Sequence, residues 1–388
     1  MGIDNLTKRV KNMNHGDIDI ISEILEKTQE EIENMKPVSI MLIGKTGVGK
    51  STLINNLFRE NIAETGIGKP VTDHLQKITK EGVPLVLYDT KGLELDPSVQ
   101  KEVRHEILDT IKDSYNSPEE EGIHLIYYCI NAAGGRIEEM EIDFINDLGK
   151  IIPLVVVLTQ SIGDNGKKLA EYIRGLDITA KAVIPILSED YKISDDIVLP
   201  SFGLRELLEE SFKYLPKEVE GSFNNAQQVD LEKKADSARR WAKRYVTTTF
   251  GVGFTPIPFS DSAVLVPMQI GMLAHITAIF GISMDKQKIA SIVAAVGGTG
   301  GATFLGRTIV ANVLKFIPGA GTIVGGVISG GTASIITMAL AYSYIEVLTV
   351  IAYQESLGRK MELEDIHKLM KERFREQLIK RKSKKDRQ

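Results

Sequence analysis

The sequence predicts two dissimilar parts: an α/β domain with a mostly parallel sheet and helices on both faces, then an all-α, glycine-rich helical domain. Three observations predict this. Between residues 38 and 215, short β-rich runs alternate with helix-like stretches. A glycine-rich stretch, GKTGVGKS at 44–51, joins the first β-rich run to the first helix-like one. Beyond about residue 222 the composition changes, and the windows 262–284, 289–306 and 316–345 contain no Asp, Glu, Lys or Arg.

In chain order, Ile18, Ile21, Ile24, Leu25, Ile32 and Met35 recur at roughly helical spacing, and Pro37 stops the run. Residues 1–36 therefore read as an N-terminal helical segment. The β-rich runs follow at VSIMLIG (38–44), PLVLYDT (84–90), HLIYYCIN (124–131), PLVVVLT (153–159) and AVIPIL (182–187). Strands that are apolar along their whole length, with helices such as KSTLINNLF and EEMEIDFINDL between them, belong to a parallel sheet covered on both faces. This domain is expected over 37–217, closing at Leu215-Pro216. A connecting amphipathic helix carrying Trp241 is expected over 218–250 and the helical domain over 251–388, interrupted at 251–261 and ending in the basic KRKSKKDRQ.

Bulk properties bound the function. A chain of 388 residues that is 43% hydrophobic can build two ordinary cores. The net charge of −5 gives no general reason to expect a nucleic-acid partner. The single cysteine, Cys129, rules out a disulfide framework and fits a reducing compartment. Six scattered histidines include none at metal-ligand spacing from that cysteine. The N-terminal MGIDNLTKRVKNMN lacks the apolar core of a secretory signal, so a cytoplasmic location is expected.

The stretch 44–51 fits G-x-x-x-x-G-K-[ST] in full, with a strand before it and a helix after it. Gly44, Gly47 and Gly49 allow a tight loop whose N–H groups turn inward and cradle phosphate oxygens. The helix beginning near Lys50 adds its positive end. Gly47, Val48, Gly49, Lys50, Ser51 and Thr52 are thus the expected nucleotide-binding residues, with Lys50 on the β- and γ-phosphates and Ser51 on Mg²⁺. Thr72, in the loop 61–73, is the candidate for a second Mg²⁺ contact that senses the γ-phosphate. Asp89 ends the next core strand and is expected to hold Mg²⁺ through water, and the N–H of Gly92 to meet the γ-phosphate.

GKTGVGKSTLINNLF, the loop ending KPVT, and DTKG together resemble the Era-like branch of the P-loop GTPases (TRAFAC class) over roughly residues 37–215. The resemblance implies GTP and GDP as ligands, Mg²⁺ as cofactor, and Lys50, Thr72 and Gly92 in the catalytic roles. It also implies a base-recognition motif N/T-K-x-D after the fifth core strand, where this chain has TQSI at 159–162. Thr159 matches; Gln160 replaces lysine; Ile162 replaces the aspartate; and Asp164 stands two residues further on. Ser188 occupies the position of the family's last base-contacting loop. Two departures touch the switch: Lys91 replaces a proline, and Leu93 stands where a Ras-like switch carries a water-orienting glutamine. Water must then be aimed by backbone, another switch residue or a second chain, so basal turnover is expected to be slow and to rise on self-association or partner binding. Arg136, in NAAGGRIEE, is a candidate for an arginine supplied to a neighbouring site.

The motifs TPIPFSD (255–261), an apolar helix with Met268, Gln269 and Met272, Phe280-Gly281, and FIPGAG (316–321) resemble a helical domain of unknown function that accompanies Era-like G domains in bacteria. The uncharged windows are 23, 18 and 30 residues long, and a span takes about 20. G-x-x-x-G spacings at Gly297/Gly301, Gly321/Gly325 and Gly326/Gly330 permit close helix approach in lipid. Tyr342, Tyr344, Tyr353 and the basic end suit an anionic interface. Residues 262–353 are therefore expected either to associate with the inner face of the cell membrane or to pack as a soluble bundle, and both readings stand. The expected function is slow, Mg²⁺-dependent GTP hydrolysis coupled to a helical effector domain through a homo-oligomer or a membrane. A soluble ribosome- or assembly-associated GTPase, and a nucleotide-dependent binding module with negligible hydrolysis, are the alternatives.

Overall fold

A computed structural model describes residues 15–91, 97–116, 122–250, 262–297 and 330–385. The chain forms two compact units: Met35–Asp230, and a second in which the segment up to Asn34 joins Leu231–Gln388. The N-terminal helix α1 (His15–Glu33) thus belongs to the second unit, where Ile21 and Ile24 enter the core.

The first unit is built on strands β1 (Val38–Ile43), β2 (Ile67–Pro70), β3 (Leu75–Lys80), β4 (Val83–Thr90), β5 (Leu125–Asn131), β6 (Leu154–Thr159) and β7 (Ala182–Pro185). They form one sheet in the order β2-β3-β4-β1-β5-β6-β7. β4, β1, β5, β6 and β7 run parallel, and β2 and β3 are an antiparallel extension at one edge. The unit's helices are α2 (Lys50–Leu57), α3 (Ile62–Thr65), α4 (Pro97–Asn116), α5 (Glu139–Gly149), α6 (Asn165–Arg174), α7 (Leu204–Tyr214) and α8 (Glu220–Ala226). Alternate residues of each strand face opposite layers. Val38, Ile40 and Leu42 of β1 pack with Leu53 and Leu57 of α2, Leu207 of α7 and Phe223 of α8. Met41 and Ile43 pack with Ile107 of α4, Phe144 of α5 and Ile173 of α6. Burial on both faces is why these strands read as unbroken apolar runs.

The five apolar runs form the five parallel strands of the sheet. β2 and β3 fall in and just beyond the stretch 61–73 that reads as loop, and a separate hairpin of β8 (Tyr191–Ser194) and β9 (Ile197–Leu199) follows β7. All four β2 residues are exposed, so no apolar signal marks them. Helix α8 lies in the α/β unit, because Phe223 packs edge-on against Phe58 and Phe212.

The second unit contains α1 with α9 (Leu231–Phe250), α10 (Ser262–Phe280), α11 (Lys286–Gly297), α12 (Gly330–Ser356) and α13 (Leu363–Lys385). Ile24, Ala238, Ile276, Ile289, Ile345 and Phe374 place these six described helices around one core. Trp241 on α9 stacks on His275 of α10 with centroids 3.9 Å apart, and His275 Nδ1 lies 2.8 Å from Glu31 Oε2 of α1. Among the described residues one helical stretch, Ala333–Ser356, is long and apolar enough to cross a membrane, and its most apolar part is 67% buried inside the unit. Two of its polar side chains have partners in the same unit. Tyr344 Oη lies 2.6 Å from Thr277 Oγ1, and Glu346 Oε1 accepts from Gln377 Nε2 at 2.7 Å. Residues 251–261, FIPGAG (316–321), both glycines of the Gly321/Gly325 pair and one glycine of each other G-x-x-x-G pair lie outside the described residues.

Candidate functional site

β1 is flanked by β4 on one side and β5 on the other, so chain connections diverge at its C-terminal end. Open parallel sheets bind ligands in the crevice formed there. The loop 44–49 fills that position. A Cβ on Gly44 would stand 2.6 Å from the Cys129 carbonyl oxygen, so only glycine lets the loop run this close to β5. Gly49 caps α2 with φ +96°, a left-handed conformation that disfavours other residues. Val48 is buried beneath the loop; Ser51 is exposed in the first turn of α2, and Thr52 beside it is half-buried. Lys50 is buried and folds back over the loop, donating from Nζ to Gly44 O at 2.8 Å and Lys45 O at 3.3 Å.

Asp89 meets this lysine from the end of β4. Its Oδ1 lies 3.8 Å from Lys50 Nζ, within ion-pair range, yet is buried without a hydrogen bond. Burial pushes the Asp89 carboxyl above its usual pKa, against the opposing pull of Lys50 and Lys91. A buried acceptor left unbonded is costly, and an oxygen-seeking divalent cation would relieve it. Ser51 and Asp89 therefore fit Mg²⁺ as an all-oxygen pair. Thr72 is committed elsewhere: its Oγ1 donates to Glu106 Oε2 on α4 at 2.6 Å. The structure does not bring it to the Lys50–Asp89 pair. Gly92 and Leu93 lie outside the described residues, while Lys91 is exposed and its N–H donates to His74 O at 2.8 Å.

At the end of β6, buried Thr159 donates from Oγ1 to Val48 O, tying this strand to the loop. Gln160 is exposed with φ +51° and lies across the loop, its Nε2 donating to Gly47 O at 3.4 Å. Its Oε1 accepts from Asn131 Nδ2 at 3.2 Å. Gln160 thus fastens the loop through neutral hydrogen bonds where the family motif has a lysine. Ser188 is half-buried just past Leu187, which bridges to Phe202.

Two contributors escape sequence reasoning. Asn131 is one, signalled only by a polar residue ending an apolar strand. Lys45 is the other, paired with Glu138 at 2.8 Å and Glu141 at 3.7 Å at the start of α5. The hydrogen bond from Lys45 holds the Glu138 carboxyl below its usual pKa. Beside the loop opens a cleft of about 240 Å³ whose lining includes Lys45, Thr46, Gly47, Asn131, Arg136 and Glu138. Arg136 is therefore placed next to the glycine loop of its own chain.

Residues 39–160 match a family described as 50S ribosome-binding GTPase. GTPase Era of Aquifex aeolicus is 26% identical over 197 residues, which is 47% of this chain and 58% of that protein. GTPase Der of Herpetosiphon aurantiacus is 33% identical over 103 residues, 25% of this chain and 23% of Der. Human Septin-9 is 27% identical over 167 residues, 36% of this chain and 28% of the septin. The chain thus spans between about a quarter and three fifths of the length of these relatives. With the loop and the strand order, these similarities support a P-loop G domain of the TRAFAC class over Met35–Asp230.

Proposed function

We propose that this chain binds GTP with Mg²⁺, hydrolyses it slowly to GDP, and passes the nucleotide state to its helical unit. The observation that carries the reading is the convergence of buried Lys50 and the unbonded Asp89 Oδ1 at the end of a glycine loop. Lys50 would exchange its two loop carbonyls for β- and γ-phosphate oxygens. Ser51 and Asp89 would hold Mg²⁺, which supplies charge neutralisation between the phosphates when bound. Slow turnover is supported by Leu93, an apolar residue that offers water no hydrogen bond. Thr72 would join the metal only by leaving Glu106, so ordering of its loop by the γ-phosphate carries that cost.

Self-association is the means of coupling we place first. The helix Ala333–Ser356 is mostly buried, and Glu346 on it is hydrogen-bonded, which favours a packed bundle over a standing membrane span. Insertion of the same helices into lipid is the other arm. A ribosomal partner has support from the description of the matching family and from the basic end of α13.

The deciding experiment measures binding of a fluorescent guanine nucleotide to the full chain and to Lys50→Ala. Loss of two charge-assisted phosphate contacts should weaken binding by about 100-fold or more. Equal binding by both proteins overturns the reading. Turnover per chain should rise with protein concentration, and liposome co-sedimentation with GDP, GTP and a non-hydrolysable analogue distinguishes self-association from lipid insertion.

A further inference from the structure

Granting that a nucleoside triphosphate occupies the loop, we infer that this site recognises the base by its 6-oxo group and not by its N1 and 2-amino edge. Hypoxanthine nucleotides should therefore bind nearly as well as guanine nucleotides, and adenine nucleotides should not.

On its Watson–Crick edge guanine presents one acceptor, O6, and beside it two kinds of donor, N1–H and the 2-amino group. A carboxylate satisfies both donors at once with charge-assisted bonds. The turn after β6 offers no such group within reach. The Thr159 hydroxyl is spent on Val48 O, and the Ser161 hydroxyl donates to Leu158 O at 2.8 Å; both residues are buried. The Gln160 amide is spent on Gly47 and Asn131. Ile162 has no polar side-chain atom, and its N–H closes back on Gln160 O at 2.8 Å.

Asp164 is the nearest carboxylate along the chain, and the backbone around it is pinned on both sides. Upstream, the Ser161 N–H donates to Ile186 O at 3.0 Å. Downstream, Lys168 N donates to Asp164 O at 3.0 Å, at the start of α6. Gly166 packs so closely on Ser161 that a Cβ there would stand 2.4 Å from Ser161 Oγ. A bulge that carried Asp164 two residues back would break these contacts. Its side chain is exposed and does not cap the helix.

Donors for O6 are at hand on the adjacent loop. The N–H groups of Ile186 and Leu187 are used by Leu158 O and Phe202 O, but those of Ser188 and Glu189 donate to no backbone carbonyl among the described residues. An N–H that meets O6 of guanine or hypoxanthine would face the 6-amino donor of adenine instead. Selection would thus act at C6 and fall silent at C2.

The test is displacement of a fluorescent GDP from the full chain by GTP, ITP and ATP. Without a charged acceptor at C2, ITP should compete within about 3-fold of GTP, with ATP about 10-fold weaker or more. Ile162→Asp should create a GTP preference over ITP of about 10-fold, the value of one charge-assisted hydrogen bond. Asp164→Ala should leave the GTP to ITP ratio unchanged. A preference for GTP over ITP of about 10-fold in the unaltered chain overturns the inference, and its loss in Asp164→Ala would identify the reader. ATP competing as well as GTP overturns it also. Lys50→Ala separates the two levels: unequal GTP and ITP with Lys50-dependent binding removes this inference alone, whereas no affinity for any of the three nucleotides removes the loop reading with it.

Discussion

In the α/β unit, the buried or partly buried polar side chains that matter gather at the C-terminal ends of the central strands. Lys50, Asp89, Thr159 and Asn131 come from four segments and meet around one loop. In the helical unit, buried polar groups are spread along the helices and paired with neighbours: Thr277 with Tyr344, Glu346 with Gln377, Ser343 with Ala339 O. Unbonded buried oxygens occur in both, at Asp89 Oδ1 and at Gln269 Oε1 and Thr337 Oγ1. The first has a lysine at ion-pair distance, while the other two stand on separate helices, α10 and α12. A ligand site shows itself by convergence of such groups, and a packed bundle by their dispersal. This is why chemistry can be argued for one unit and only packing for the other.

The comparison can be broken experimentally. The largest effects should come from the cores: Leu87→Ala in the sheet and Ile345→Ala in α12 each remove a fully buried side chain and should cost about 2–5 kcal/mol by chemical denaturation. Leu87→Ala should weaken nucleotide binding strongly and Ile345→Ala only slightly; a matching loss from both would erase the contrast between the units. Next, GTP analogue with Mg²⁺ at about 100 times its Kd should stabilise the α/β unit by about 2.7 kcal/mol. Cys129 reports this directly, because burial pushes its thiol up to about 12 and only opening of the α/β unit exposes it to alkylation. Nucleotide should slow that alkylation and shift helical-unit unfolding by a smaller amount; an unmoved helical unit would count against the proposed transmission of nucleotide state.

Smaller effects sharpen the contrast. Gly44→Ala sets a Cβ against the Cys129 carbonyl and should cost about 1–3 kcal/mol, with loss of nucleotide affinity. Tyr344→Phe leaves the buried Thr277 hydroxyl one partner short and should cost about 1 kcal/mol without altering turnover. The smallest change is expected from Glu106→Ala, which frees Thr72; turnover should rise by a few-fold, on the order of one hydrogen bond. A fall in turnover instead would assign Glu106 a direct role at the switch.

Residues 38–44 and 84–90 were readable as strands because both their faces are buried, which forces an unbroken apolar run. Residues 67–70 and 75–80 were not: the first strand is exposed throughout, and the second buries only Leu75 and Ile78, so neither carries an unbroken apolar run. The glycine loop was readable as well, because its motif reflects backbone conformation and phosphate chemistry confined to a few neighbouring residues. Thr72 shows the limit: its candidacy came from loop position, and its hydroxyl lies on a glutamate 34 residues away.

The chain's own order of residues determined the parallel sheet, the phosphate loop, the missing base-reading carboxylate and the uncharged helices, since each is written in local spacing or in one side chain's chemistry. Tertiary structure alone decided that α1 joins the helical unit, that Lys45 pairs with Glu138 across 93 residues, and that Gln160 and Asn131 jointly clamp the loop. Those outcomes depend on which distant segments become neighbours when the sheet closes, and no local pattern carries that information.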